Sequence, residues 1–240
     1  MDDSQDYLFE VNSDHQIEIE RYIGSDETAV IPDHIDGLPV TVIKEHAFAA
    51  TDIAEAVVPA GVEIIDSEAF AVCESLRRVI LPGSLLRLGR GVFKGSEDLK
   101  DIVFSDENAR YSVDDGVLFD KSERALVLCP PGLELKKYTV PMGIETISAD
   151  AFFANRTLEY VKLPLTLKSI EADAFLFTDS MRFIELPPSL ESIAPGCFLV
   201  GTGPFAEKYF EIYAFPNTPG YRYALENKIT VHPLLAIVTD

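Results

Sequence analysis

The residue types that do chemistry are present in this 240-residue chain, but their spacing predicts neither a catalytic nor a metal site. The glycines of segment 89–95 have no βαβ unit around them, so they do not form a dinucleotide-binding loop. The acidic residues of segment 114–120 lack the spacing of a calcium loop and favour a turn. The histidines are too scattered to share a metal ion: His15, His34, His46 and His232. We therefore expect no enzyme activity, no metal and no cofactor.

Three cysteines and one formal glycosylation sequon complete the reactive groups. Cys73, Cys129 and Cys197 are odd in number and widely spaced, which fits neither a disulfide framework nor a zinc site. We expect buried free thiols. Asn155-Arg156-Thr157 has the sequon pattern, and we expect it to be unused.

The charge balance limits the classes of partner. The chain has 40 acidic and 20 basic residues, a net charge of -20. Residues 1–120 carry 26 acidic and 9 basic residues, whereas residues 121–240 carry 14 and 11. A polyanion repels nucleic acid and anionic membranes, so neither is expected as a partner. Much of the surplus charge fits a solvated face.

The start of the chain bears on localisation. Residues 1–6 are acidic, whereas a secretory signal starts basic and continues with an apolar run. No segment approaches the roughly 20 apolar residues of a membrane-spanning helix. The sequence as written therefore predicts a cytoplasmic protein without membrane insertion, or a secreted or cell-surface protein if a signal was removed.

A seven-residue phrase recurs along the chain, mostly at a period of 23 residues. Its copies begin at Ile53, Leu76, Leu99, Leu135, Leu158, Met181 and Phe210, with a weaker copy at Asp26. Positions four and six are apolar, as in a half-buried strand, and position seven is usually Pro, which ends the strand because it lacks an N–H. One strand cannot bury its own face, so successive units must stack into a parallel ladder.

A second short motif recurs at matching distances from the seven-residue phrase and ends in phenylalanine. Its rings are Phe48, Phe70, Phe93, Phe152, Phe175 and Phe198. We predict that these rings are buried and form one column, interrupted only at a longer unit.

The phrases resemble the BspA-type leucine-rich repeats. The matching stretches are LRRVILPGSLLRLGRGVF, LEYVKLPLTLKSIEADAF and MRFIELPPSLESIAPGCF, and IPDHIDGLPVTVIKEHAF is similar to the family's opening unit. The resemblance implies a repeat solenoid, a mostly β right-handed superhelix with a parallel strand ladder and with short helices or turns on the other side. It also implies a bacterial surface protein that binds host or partner proteins.

We expect a single leucine-rich-repeat domain over residues 1–240. Its parts are an N-terminal hairpin cap (1–25), repeats (26–98), a long unit (99–134), repeats (135–203) and a C-terminal cap (204–240). The long unit should project a hairpin made of Val117–Asp120 and 124–129. The C-terminal cap is rich in aromatic residues and should hold a helix over 221–228, followed by an extended piece at 229–231.

Positions three and five of each phrase must point out of the ladder. In the last copy these positions are Ile212 and Ala214. Position five is apolar in the early units, which strand propensity, a covering hairpin or a second subunit would each explain. Tyr160 and Phe183 are rings among charges, the pattern of an interface anchor. The candidate partner-binding residues are Arg78, Asp101, Lys137, Tyr160, Lys162, Phe183 and Glu185.

The sequence thus favours a non-catalytic scaffold that binds a protein, with the partner and the oligomeric state left open. The alternative is a glycan-binding or glycan-processing accessory protein, for which Tyr160 and Phe183 beside Glu185 would be the platform.

Overall fold

The computed structural model describes residues 3–198 and 210–235. Parts of the expected last repeat and of the C-terminal cap, including Phe205 and Tyr209, lie outside the described residues. The chain divides into two compact units, residues 1–118 with 130–133 and residues 119–129 with 134–240.

The first unit is built from stacked coils with two parallel ladders. Its elements are a 3-10 turn (Asp3–Asp6), β1 (Tyr7–Val11), β2 (Ile17–Tyr22), β3 (Thr28–Val30), β4 (His34–Ile35), β5 (Leu38–Ile43), β6 (Glu55–Val57), β7 (Ile64–Ile65), β8 (Arg78–Leu81), β9 (Arg87–Leu88), β10 (Asp101–Phe104) and β11 (Tyr111–Asp114). The strands of the seven-residue phrase form a front ladder, β3-β6-β8-β10, and the strands that follow each phrase form a side ladder, β2-β5-β7-β9. Neighbours within both ladders are parallel.

The second unit repeats this plan after β12 (Val117–Asp120), in which the division between the units falls. Its elements are β13 (Ala125–Leu128), β14 (Lys137–Thr139), β15 (Thr146–Ile147), β16 (Tyr160–Lys162), β17 (Ser169–Ile170), β18 (Phe183–Leu186), β19 (Ser192–Ile193), β20 (Glu211–Ala214), α1 (Pro219–Glu226) and β21 (Thr230–Pro233). The front ladder has the parallel groups β14-β16 and β18-β20-β21, and the side ladder is β13-β15-β17-β19.

Alternation in the repeated phrase explains the front ladder. Position four is buried in the front strands from β3 to β20: Ala29, Ala56, Val79, Ile102, Tyr138, Val161, Ile184 and Ile212. Its neighbours at positions three and five point to the outside, because successive side chains of a strand leave opposite faces. The predicted mostly β solenoid with parallel ladders is confirmed.

The predicted phenylalanines are buried, and they form a stack in each unit. Phe48, Phe70 and Phe93 have centroids 4.7 and 5.7 Å apart. The rings of Phe152, Phe175 and Phe198 follow at 4.9 and 5.1 Å. Four of these residues also donate their backbone N–H to the carbonyl that precedes the next ring, which fixes the spacing of the coils: Phe48, Phe70, Phe152 and Phe175.

The N-terminal hairpin extends the first stack. β1 pairs antiparallel with β2 and leaves β1 at the edge of the sheet. Tyr22 stacks on Phe48 at 5.3 Å, and Tyr7 lies 5.4 Å from Tyr22. Both tyrosines are buried, so the hairpin supplies aromatic surface that the first coil would otherwise lack.

Each turn that contains a stacked phenylalanine, up to Phe175, has two residues in the left-handed backbone conformation, in which φ is positive. One follows the phenylalanine by two positions: Ala50, Val72, Gly95, Ala154 and Phe177, with φ between 56 and 77°. A left-handed conformation strains any residue with a Cβ, and β-branched Val most of all.

We expect Val72→Gly to stabilise the protein by about 0.5–1 kcal/mol, because it relieves this strain and Val72 is already half exposed. Thermal or urea unfolding measures the change. Gly95→Ala is the reverse control in the same row, and we expect it to destabilise. A Val72→Gly variant that is less stable than the parent would contradict the strain argument.

The two strands predicted for the hairpin of the long unit, β12 and β13, are neighbours in one sheet. Val117, Leu118, Phe119 and Ala125 are buried. β13 continues the side ladder and pairs with β15. The consecutive apolar residues of this segment therefore fill a position in the solenoid, because their burial stabilises the chain more than their exposure would.

The pairing register of the front strands β18 and β20 differs by one residue from the predicted register. Glu211, Ile212 and Tyr213 pair with residues 183–185, so positions three and five are Glu211 and Tyr213. The predicted outward residues Ile212 and Ala214 are buried, since a slip of one residue moves every side chain to the other face. Helix α1 also begins two residues earlier than predicted, because Thr218 caps it and Pro219 suits its first turn.

Candidate functional site: the outer face of the second unit

The candidate site lies on the outward face of the front ladder of the second unit. Pairing of the strands places Lys137 beside Tyr160 and Thr139 beside Lys162. It likewise sets the following residues side by side: Phe183 with Glu211, Glu185 with Tyr213, Glu211 with Thr230, and Tyr213 with His232. These pairs put aromatic and charged side chains on one surface.

Four rings form a continuous aromatic strip, defined as Tyr160, Phe183, Tyr213 and His232. Tyr160 lies 5.2 Å from Phe183 in a tilted arrangement, and Phe183 meets Tyr213 edge-on at 5.7 Å. Tyr213 stacks on His232 at 4.7 Å. All four side chains are partly exposed, so the strip presents apolar surface to a partner.

Carboxylates line the strip. The Tyr213 hydroxyl donates to Glu211 over 3.3 Å, and His232 Nε2 lies 3.1 Å from Glu211 Oε2. Burial raises the pKa of Tyr160, and the charge of Glu185 raises it further. Burial and then the charge of Glu211 also raise the pKa of Tyr213. Both phenols therefore stay protonated at neutral pH and can donate hydrogen bonds.

Sequence reasoning found Tyr160 and Phe183 but missed Tyr213 and His232. The last phrase was aligned on Pro216, yet one extra residue, Phe215, stands before that proline. The alternation of Ile212 and Ala214 was the available signal, because it matches the buried positions four and six of the other strands.

The other candidate residues divide between the units. Arg78 and Asp101 lie in the first unit and form an ion pair at 3.0 Å, with Glu55 4.0 Å from Arg78. Beside them runs an apolar row in which Val30 is 60% exposed. Lys137, Lys162 and Glu185 lie in the second unit and are exposed around the strip.

The remaining reactive groups are buried. All three cysteines are unpaired and buried. Asn155 of the sequon is fully buried, and its Nδ2 donates to Cys129 Sγ over 3.6 Å. The amide nitrogen that a glycan would join is therefore inaccessible in the folded chain.

Within residues 3–198 and 210–235, no cluster of three or more His, Cys, Asp or Glu side chains could hold a metal ion. In the same ranges, no helix has the length and apolar character needed to cross a membrane.

Comparison with solved structures finds leucine-rich repeat proteins. One from Eubacterium ventriosum is 15% identical, with a TM-score of 0.51 over 87% of this chain and 70% of that one. One from Bacteroides ovatus is 21% identical, with a TM-score of 0.54 over 88% of this chain and 54% of that one. The chain thus spans about half the length of the Bacteroides ovatus protein, and both likenesses concern the fold.

Comparison with curated proteins gives no match. The sequence model of one protein family, the BspA type leucine rich repeat region, matches this chain in six copies, over residues 39–116 and 131–203. These ranges cover more than half of the chain and contain most of the strands of both ladders. The chain therefore belongs to the BspA-type leucine-rich repeat family.

Proposed function

We propose that this chain is a non-catalytic protein-binding scaffold that holds its partner on the aromatic strip of the second unit. The repeat family and fold support the role of a scaffold. The exposed rings of the strip support the location of the binding site, because solvent alone would favour polar residues at outward positions. Contiguous aromatic rings surrounded by charge are typical of interface anchors.

Charged residues around the strip would orient the partner. Lys137 and Lys162 flank it on one side, whereas Glu185 and Glu211 lie farther along the ladder. Exposed charges of this kind set the approach and register of a partner more than its affinity. Arg78 and Asp101 are already paired with each other, and we propose them only as a separate contact on the face of the first unit.

The arrangement of the rings favours a protein over a glycan. A sugar ring stacks on a flat aromatic face that is free. Here each ring contacts the next ring of the strip, in tilted, edge-on and stacked pairs with interplanar angles of 38, 74 and 20°. Their edges and hydroxyl groups suit the mixed apolar and polar contacts of a protein interface.

We expect the double variant Tyr160→Ala with Phe183→Ala to bind a partner at least about tenfold more weakly, because hot-spot rings contribute about 2 kcal/mol or more when buried by a partner. Partners are captured on immobilised protein from the lysate and culture medium of the source cells. Dissociation constants are then measured with the purified partner.

The matched control is Phe153→Ala with Phe177→Ala, another contacting ring pair of the same unit, with centroids 5.4 Å apart and located on the turns. Thermal unfolding must show that both variants are folded. Binding at the parent's affinity by a folded Tyr160/Phe183 variant would exclude the strip as the site. Capture of a glycan alone would favour the alternative function.

A further inference from the structure

Glu185 is an exposed carboxylate set among the rings of the strip. Its residue pairs with Tyr213 on the neighbouring strand and lies two positions from Phe183 on its own strand, on the same face. Burial raises the pKa of both Tyr160 and Tyr213, and the charge of Glu185 adds a smaller contribution to each shift. An anion thus lies beside the ring of Tyr213, on the same face as the ring of Phe183.

No cation of the described residues pairs with this carboxylate. Lys162 lies on the strand before it, at the equivalent position of the repeat, yet the two do not form an ion pair within the described ranges. Some other carboxylates of this unit do pair with cations. Glu145 on the side ladder, for example, pairs with both Arg124 and Lys168. Glu185 therefore keeps its acceptor oxygens available to a partner.

We propose that Glu185, with Tyr213 beside it on the following strand and Tyr160 on the preceding strand, receives an arginine side chain from a basic segment of the partner protein. The inference rests on the proposed function, since it names the chemistry of the partner at the same face. A guanidinium donates two parallel hydrogen bonds to a carboxylate and stacks on aromatic rings, and lysine matches this geometry less well.

The charge of the whole chain favours encounter with a basic partner. A net charge of -20 attracts positively charged segments and raises their rate of encounter. Long-range attraction does not choose the strip, because the surplus of acidic over basic residues is 17 in residues 1–120 and 3 in residues 121–240. The rings around Glu185 provide the local selection that a solvated carboxylate elsewhere lacks.

Removing the charge of Lys162 should change the affinity for arginine peptides in the opposite direction from removing the charge of Glu185. Lys162 occupies the equivalent position on the preceding strand, so its positive charge repels a cation bound at Glu185. Neutralising Glu185 should therefore weaken the binding of arginine peptides, whereas neutralising Lys162 should strengthen it. A merely structural role of either exposed residue would not produce opposite changes.

The test uses the full chain and a library of displayed random peptides of about 12 residues. We expect the parent protein to enrich peptides that contain arginine. Glu185→Gln should bind the enriched peptides about tenfold more weakly, and Lys162→Gln should bind them about twofold to fivefold more tightly. Glu191→Gln is the matched control, because it removes the same charge from an exposed residue that precedes the side-ladder strand β19.

Two failures can be told apart. If the parent enriches peptides that the Tyr160/Phe183 double variant does not bind, but Glu185→Gln binds them as Glu191→Gln does, the arginine site is wrong and the binding face stands. If the double variant enriches the same peptides as the parent, or the parent enriches none, the binding face itself is wrong.

Discussion

Replacing Phe152 with alanine should lower the free energy of unfolding by about 3–5 kcal/mol, one of the largest effects expected for a single substitution in this chain. The ring is fully buried and stacks on Phe175 at 4.9 Å, while Tyr138 lies 6.2 Å away on its other flank. Each coil contacts mainly its neighbours, so a cavity in one coil weakens the packing against the next.

Urea unfolding followed by circular dichroism measures this loss. Phe177→Ala is the matched control, because Phe177 is a half-buried ring of the same unit outside the stack. We expect it to cost clearly less than Phe152→Ala. Equal losses for the two variants would show that the stack is not the main source of stability in these turns.

Cys129 and Cys197 should react with a thiol reagent more than about a thousandfold more slowly in the folded than in the unfolded chain at pH 8. Burial raises the pKa of each to about 12, against an ordinary thiol value of about 8.5. Only the thiolate is a nucleophile, so both exclusion of the reagent and loss of ionisation slow the reaction. Burial also raises the pKa of Cys73.

Thiol titration under denaturing, non-reducing conditions should find all three cysteines free. The same shifts predict alkaline destabilisation. The unfolded chain releases these protons from about pH 8.5, whereas the folded chain keeps them to about pH 12. The stability is therefore complete below pH 8.5 and falls as the pH rises through this window. Rapid labelling of Cys129 in the native protein, or fewer than three thiols after denaturation, would contradict this account.

The sequence by itself determined the repeat, the front strands and the buried rings. Spacing of 23 residues, apolar alternation and the closing proline are local properties, and each coil meets the same neighbours, so one phrase predicts the others. Tyr160 and Phe183 were also predictable as outward rings, because strand alternation alone decides the side from which they leave.

Only the tertiary structure decided the rest. The phrase at Phe210 admits two registers, and pairing of β20 with β18 selects the one that buries Ile212 and turns Tyr213 outward. The sequence around Val117 predicts two pairing strands but does not decide how deeply they lie, and Val117, Leu118 and Phe119 are buried. The neighbourhood of Glu185 depends on which strands become adjacent, which is a long-range property. Register and strand neighbours follow from the summed burial of many residues, and no local pattern in the sequence contains that sum.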